Sequence, residues 1–305
     1  MTGATGNLGG RIVQQLLARV PAEEIGVSVR DASRASALAQ RGVRVRTGDF
    51  TRPATLEHAF QDADQVCVVS AAIRGGGAFE ANRSAIDAAI AVGAARILYT
   101  SHQAASADSL FPPQHAHAAT QTYLAQQAVP FVALRNGFYA NALGIHLPSA
   151  LSTGQIIVPE DGPVSWTAHD DLAEATALAL TRADTVDGIS PPLTGSASLD
   201  LGAVAGLLST LTGRTITRVT VSDEEWRAMA IARGLSPLVA DFSLGMFRAA
   251  RRGEFDAVDP TLERMLGRPT LPVEHTLREL LESHASTSAG NRRETMRLDP
   301  PRATA

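Results

Sequence analysis

The chain opens MTGATGNLGG, so Gly3, Gly6 and Gly9 stand at the spacing G-x-x-G-x-x-G at its very start. A helical pattern follows at once over residues 8–19, with Ile12, Val13, Leu16 and Leu17 on one face. A glycine triplet that opens a helix leaves few folds open. Gly3 permits the sharp turn, Gly6 lets a ligand approach the backbone, and Gly9 lets the helix lie close against a strand. The free N–H groups and the dipole of the helix start favour an anion, such as the pyrophosphate of a dinucleotide. A loop of this kind is fed by a buried apolar strand, central in its sheet. Only Met1 and Thr2 precede it here. The expectation is a first strand missing or truncated to its last residue, with the true start of the polypeptide upstream of Met1.

The rest of the chain supports a doubly wound α/β fold. Short strands are predicted over 25–30, 43–47, 65–70, 96–100 and 130–134, and helices over 32–41, 79–92 and 114–127. Thr51-Arg52-Pro53 reads as a threonine cap with proline in the first turn of another helix. Units of roughly 25 residues imply right-handed crossovers and a parallel sheet. After about Asn136 the rhythm breaks. Helices over 171–182 and 199–211, a strand over 215–221 and a capping box at Ser222-Asp223-Glu224-Glu225 lead into a mostly helical C-terminal lobe. The division expected is a nucleotide-binding domain over 1–140, interleaved sheet segments and a substrate lobe over 141–282, and a disordered tail over 283–305. A chain of 305 residues with 45% hydrophobic residues can bury such a core.

Composition excludes several classes. Lys and Arg number 27 against 31 Asp and Glu, a net charge of −4, and no basic stripe marks a nucleic-acid surface. The single cysteine, Cys67, rules out an internal disulfide or a cysteine-rich metal cluster, and points to a reducing compartment. No stretch approaches the ~18 apolar residues of a membrane span, and no secretory signal is visible, so a cytoplasmic location is expected. His115 and His117 lie two apart with no third ligand nearby, so no metal site is expected.

The strand ends carry the cofactor reading. Val29-Arg30-Asp31 ends the second strand of the expected sheet, and an arginine there suits a ribose 2′-phosphate where a carboxylate would suit a 2′-hydroxyl. Arg30 comes first, which favours NADPH. Asp49 and Phe50 follow the next strand, where a carboxylate and backbone can reach an adenine edge; Asp49 equally suits a turn that bonds its own backbone. Ser70, Ala71 and Ala72 are small residues that leave room for ribose and phosphates.

Taken together, TGATGNLG at 2–9, VR at 29–30, GDF at 48–50, YTS at 99–101, HAAT at 117–120 and LRNGFYAN at 134–141 form a recognisable pattern. It resembles the NmrA-like atypical short-chain dehydrogenases, nearest to the subgroup of type 2 NAD(P)H:quinone oxidoreductases and triphenylmethane dye reductases. The likeness runs from Thr2 to about Leu281, through SLDLGAVAGLLSTLTGR and SDEEW. It implies a Rossmann domain with a small C-terminal lobe, and NADPH as a direct hydride donor without flavin. It also implies cofactor contacts from Gly3, Thr5, Gly6, Asn7, Leu8 and Gly9, from Arg30, from Ser70, Ala71 and Ala72, and from Asn136, Gly137, Phe138 and Tyr139.

Ordinary short-chain dehydrogenases use Tyr-x-x-x-Lys, in which the tyrosine gives a proton and the lysine lowers its pKa. His117 stands at the lysine place and Pro113 at the tyrosine place. That shifts the expected chemistry toward acceptors that stabilise charge themselves: quinones, cationic dyes and similar electron-poor aromatics. His117, Tyr139 and Asn141 are the catalytic candidates. Against them stand blander readings: a helix-start histidine, a loop hydrogen bond for Tyr139 and core packing for Phe138. Trp166, Phe242, Met246 and Phe247 are candidates to line a pocket or to pack the lobe. Two other readings stay open, a dinucleotide-binding redox sensor without chemistry and a biosynthetic reductase or isomerase. A homo-oligomer is also left open.

Overall fold

The computed structural model describes residues 1–71, 73, 77–182 and 185–298, with side chains through residue 286. Ala72 and residues 299–305 lie outside the described residues. The first helix, α1 (Asn7–Leu17), is followed by β1 (Gly26–Val29), α2 (Ser36–Gln40), β2 (Arg44–Thr47), α3 (Pro53–Phe60), β3 (Gln65–Val68), α4 (Ala78–Ala91), β4 (Arg96–His102), α5 (Pro113–Ala125) and β5 (Phe131–Asn136). β1 pairs with β2, while β3, β4 and β5 pair in that order, all parallel. Between the two groups lie Met1 and Thr2. The Met1 amino group donates to the Gly26 carbonyl (2.6 Å), and Ser28 N–H donates to the Met1 carbonyl (2.8 Å). On the other side Thr2 N–H donates to the Cys67 carbonyl (2.9 Å). The order is therefore β2–β1–(Met1, Thr2)–β3–β4–β5, the doubly wound arrangement with Met1 and Thr2 at the innermost position.

Alternation along the strands builds a core on each face of this sheet. Cys67, Leu98, Val132 and Leu134 face α1 and the later helix α7 (His169–Thr181), meeting Ile12, Val13, Leu172 and Ala173. Val66, Val68, Ile97 and Tyr99 face α3, α4 and α5, meeting Leu56, Phe60, Ile86 and Leu124. Strands covered on both sides read as continuous apolar runs, which is why QVCV was legible as a strand.

Past Asn136 the chain forms β6 (Phe138–Tyr139), α6 (Leu147–Thr153), β7 (Gln155–Pro159), β8 (Trp166–Thr167), α7, β9 (Gly188–Leu193), α8 (Leu201–Thr212), β10 (Thr217–Val221), α9 (Asp223–Ala232), α10 (Pro237–Arg251), α11 (Thr261–Leu266) and α12 (Val273–Leu298). β9 pairs parallel with β5 at the sheet edge. It carries Pro191 and Pro192, which a central strand could not hold but an edge strand can. The lobe has its own core, with Phe111, Phe138, Trp166, Val204, Phe247 and Phe255 among its members, and small parallel pairs β7–β10 and β6–β8.

Three local expectations change. The helix expected over 32–41 splits into a 3-10 turn (Ala32–Ala35) and the short α2, because the Asp31 side chain accepts from Ser33 N–H and caps the turn. Thr51 does not cap α3; its N–H and hydroxyl both bond the Asp49 carboxylate, leaving Arg52 at the cap with Pro53 behind it. Ser222 does cap α9, accepting from Glu225 N–H (3.1 Å). Finally, α12 continues to Leu298, well into the stretch expected as a disordered tail. Ala285, Ala289, Arg292, Arg293, Glu294 and Met296 are good helix formers, and no proline intervenes before Pro300.

Candidate functional site

The phosphate loop is built as its sequence demands. Gly3 has φ +69, Gly6 N–H donates back to the Gly3 carbonyl (2.9 Å), and Gly6 is the N-cap of α1. A Cβ on Gly9 would stand 2.0 Å from the Gly3 oxygen, so only glycine lets α1 sit against this turn. Thr5, Gly6 and Asn7 are exposed, Leu8 is buried beneath them, and α1 carries no side-chain cap and no acidic residue in its first turn. The first N–H groups therefore remain for an anion.

Along the carboxyl ends of the strands the other expected residues fall in order. Arg30 is exposed just past β1. Asp31 is occupied by Ser33, which bonds it through N–H (3.0 Å) and hydroxyl (2.7 Å), so Arg30 is the charged group left at this strand end for a ribose substituent. Asp49 forms the turn that bonds its own backbone: the Thr51 N–H holds its carboxyl below the usual range, with the Thr51 hydroxyl and the more distant Arg30 adding to this. Phe50 is half-buried against the core on the α3 side. Ser70 N–H bonds the Thr100 hydroxyl and Ala71 N–H bonds Asn82 Oδ1, both at 2.9 Å, which fixes the loop after β3. Asn136 is fully buried, with the Tyr139 hydroxyl close to its side-chain amide but neither amide atom in a well-formed hydrogen bond. Gly137 must be glycine, because a Cβ would meet the Thr167 hydroxyl at 2.1 Å. An exposed loop of free N–H groups and a buried amide without a well-formed hydrogen bond at the same edge of the sheet fit a dinucleotide laid across it.

The three catalytic candidates separate into two places. The Tyr139 ring packs tilted against that of His169 (centroids 4.4 Å apart), and His169 Nδ1 pairs with Asn141 Oδ1. These two therefore gather at the start of α7. His117 lies instead beside β4. Asn82 Oδ1 is fixed by Ala71, so its Nδ2 donates to the Tyr99 hydroxyl (3.1 Å). The Tyr99 hydroxyl also lies 2.8 Å from His117 Nδ1, and Thr120 is a further partner. His102, at the end of β4, has its ring 6.0 Å from that of His117, and its Nδ1 accepts from Ala104 N–H. Burial drives all three away from charge: His117 falls to about 4, His102 falls well below its ordinary value, and Tyr99 rises.

Around this pair lies an aromatic wall. Phe138 and Phe255 pack edge-on to His102, and Phe111 packs on Phe138, Phe242 and Phe255. Phe138 thus faces the histidines while its neighbour Tyr139 faces the opposite way, as alternation along β6 requires. Trp166 and Phe247 are buried in the lobe core, the indole bonded to the Leu199 carbonyl, and Met246 packs at its margin. Sequence reading missed Tyr99, Asn82, His102 and His169. YTSH places Tyr99 and His102 at a strand end, but their partners stand on other elements, and spacing alone does not show the contacts.

The protein-family model described as NAD(P)H-binding matches residues 3–181. The chain is 30% identical over 285 residues to quinone oxidoreductase 2 of Escherichia coli, covering 92% of this chain and 97% of that one. The chain belongs to the NmrA-like NAD(P)H-binding reductases. An NmrA-like oxidoreductase of Aspergillus flavus in the same family is 26% identical over 289 residues, covering 92% of this chain and 94% of that protein. Triphenylmethane reductase of Citrobacter sp., solved with NADP(H), superposes with a TM-score of 0.85 at 28% identity, covering 92% of this chain and 98% of that chain. Family membership makes the chain an NAD(P)H-dependent oxidoreductase with a Rossmann-like NAD(P)-binding fold. Among the described residues no helix is long and apolar enough to cross a membrane. Asp170, His275 and Glu279 bring ligand atoms within 4.8 Å of one another, but Arg11 already pairs with both carboxylates.

Proposed function

We propose that the enzyme delivers hydride from NADPH to flat, electron-poor aromatics, quinones or cationic dyes, seated against His102, His117, Phe138 and Phe255. In this reading Gly3–Leu8 hold the pyrophosphate, Arg30 the 2′-phosphate, and Asn136 with Tyr139 the nicotinamide end. When bound, NADPH supplies the hydride. The rest is done by the chain. His102 and His117 offer neutral imidazoles to an acceptor oxygen, Phe138 and Phe255 exclude water, and the Tyr99–Asn82 pair holds the His117 ring in place.

One observation carries the choice of acceptor: among the described residues of the site, no titratable group is brought toward neutrality, and burial also raises Tyr139. Pro113 offers no proton, His117 is neutral down to about pH 4, and burial holds the Tyr99 proton more tightly. A simple ketone reduced here would become an alkoxide whose hydrogen-bonding neighbours are not matched in pKa to give it a proton near neutral pH. A quinone or a cationic dye spreads or cancels the charge it receives, and needs only position. Purified enzyme assayed for NADPH oxidation should turn over quinones and triarylmethane dyes at least about a hundredfold faster than cyclohexanone, as general acid catalysis is typically worth that much. Comparable rates on simple ketones would overturn the reading.

A further inference from the structure

Helix α5 carries two buried glutamines, and they differ in one respect. Gln121 Nε2 donates to the Ser101 hydroxyl on β4 (2.6 Å). Gln114, two turns earlier, is fully buried, yet neither its Oε1 nor its Nε2 has a hydrogen-bond partner among the described residues. The local sequence explains why. Pro112 and Pro113 have no N–H to give Oε1. The Gln114 N–H is taken by the Phe111 carbonyl (3.0 Å) and the His115 N–H by that of Pro112 (3.1 Å). A carboxamide buried in this state carries a cost that an apolar side chain of similar volume would not. Nor is it remote from the chemistry. Gln114 stands three residues after Phe111 and three before His117, at the start of α5, so its neighbours on that face of the helix are both members of the acceptor wall. Phe111 packs on Phe138 and Phe255, and His117 lies against His102.

We propose that Gln114 is the residue that selects carbonyl acceptors: its Nε2 donates to a quinone oxygen seated between Phe111 and His117. Its Oε1 then accepts from the same oxygen, once reduction and a proton from water have made it a hydroxyl. The assignment rests on the reductase reading and narrows it. A carboxamide holds a donor and an acceptor on one planar, uncharged group. It therefore suits an oxygen that accepts before the reaction and donates after it. An N,N-dialkylated triarylmethane dye has no carbonyl, O–H or N–H, and would leave both amide atoms as they are. Quinones and cationic dyes, equivalent in how they carry charge, are thus not equivalent at Gln114. A site built to hydrogen-bond a substrate group rejects an analogue lacking that group far more sharply than an apolar pocket does, because its own buried polar atoms stay unpaired.

The test compares the parent with Gln114→Leu and Gln114→Met. Leucine is branched and methionine is not, so a packing fault in one need not recur in the other. Four quantities are read: Tm without ligand, the NADPH Kd, and kcat/KM for menadione and for malachite green. Removing the unpaired amide should raise Tm by about 2 °C or more. Turnover of menadione should fall at least about tenfold in kcat/KM, since that is the worth of a buried hydrogen bond left unmade. Malachite green should change less than about twofold, and the NADPH Kd should stay as it is. An equal fall for both acceptors would mean that Gln114 only packs, and would overturn the proposal. So would undiminished menadione turnover, or a lowered Tm in both variants, which would show that the amide has a partner within the fold. Should the parent reduce neither acceptor, the reductase reading fails, and menadione binding to the NADP⁺-loaded protein, followed by quenching of its fluorescence, decides for Gln114. Binding at least about tenfold tighter in the parent than in Gln114→Met would uphold the assignment, and equal binding would refute it.

Discussion

Replacing Gly9 with alanine sets two effects of opposite sign against each other. In a helix interior, Gly to Ala ordinarily stabilises by roughly 0.5–1 kcal/mol. Here the new Cβ would stand 2.0 Å from the Gly3 carbonyl oxygen, 2.5 Å from its carbon and 3.1 Å from Ala4 N. Those atoms are backbone, so α1 or the loop must shift by about 1 Å to restore an ordinary contact. Overpacking of this kind costs roughly 1–3 kcal/mol, which exceeds the helix gain. The expected result is a Tm lowered by about 2–10 °C without cofactor, together with weakened NADPH binding because the displaced turn is the one that faces the phosphates. Gly6→Ala is the control. Its backbone is extended, with φ −94 and ψ 174, and its Cβ would meet only the Gly3 oxygen at 3.3 Å. Stability should therefore change little, while a methyl group in front of the first N–H groups of α1 should weaken NADPH about 10–100-fold, or about 1.4–2.7 kcal/mol. Scanning calorimetry and fluorescence titration of both variants decide the matter. A Gly9→Ala protein as stable as the parent, with parental affinity, would refute the packing argument.

Arg30→Ala should raise the NADPH Kd about 10–100-fold and leave that of NADH nearly unchanged, because a guanidinium–phosphate contact is worth roughly 1.5–3 kcal/mol; equal affinity for the two cofactors in the parent would remove the role of Arg30. Acid should destabilise the fold between about pH 6.5 and 4. Burial lowers His102, His117, His146 and His169 below their ordinary value, three of them to about 4, so the unfolded chain binds more protons in that window and the stability present above it is lost as pH falls. Denaturant titrations across that range should show it, and His117→Gln should flatten the slope. Arg268→Ala should destabilise by about 3–5 kcal/mol at pH 7, because Arg268 pairs with the fully buried Asp171 (2.8 Å), whose carboxylate would be left with the Leu271 N–H. Urea unfolding checks this, and the loss should shrink toward acid pH as Asp171 is protonated.

Legibility in the sequence followed the range of the contacts involved. The glycine loop, Arg30 and the alternating strands are local features, and each could be read from spacing alone. Met1 and Thr2, the residues that lead into the glycine loop, bond β1 on one side and β3 on the other, the place that the loop's position in the sequence gives them. β9 was hidden by Pro191 and Pro192, whose missing N–H groups are tolerated only because the strand lies at an edge. The site divided less predictably. Phe138, Tyr139 and Asn141 are near neighbours in sequence, yet Phe138 faces His102 while the other two meet His169. His117 was marked by its place after Pro113, but its state depends on Tyr99, eighteen residues earlier, and on Asn82 behind that. Such relays join three elements of the fold, and no periodicity records them.

The central claim is that hydride passes directly from NADPH to an aromatic acceptor held against His102, His117 and Phe138, without an acid group supplying a proton in the same step. The most direct measurement is a single-turnover reaction of the enzyme with NADPH stereospecifically deuterated at C4 and a triarylmethane dye, with the colourless product analysed by mass spectrometry. The account predicts one deuterium on the central carbon of the dye, from one face of the nicotinamide only, at a rate flat between about pH 6 and 8. Loss of the label to solvent, or a rate that follows a protonation in that range, would contradict it.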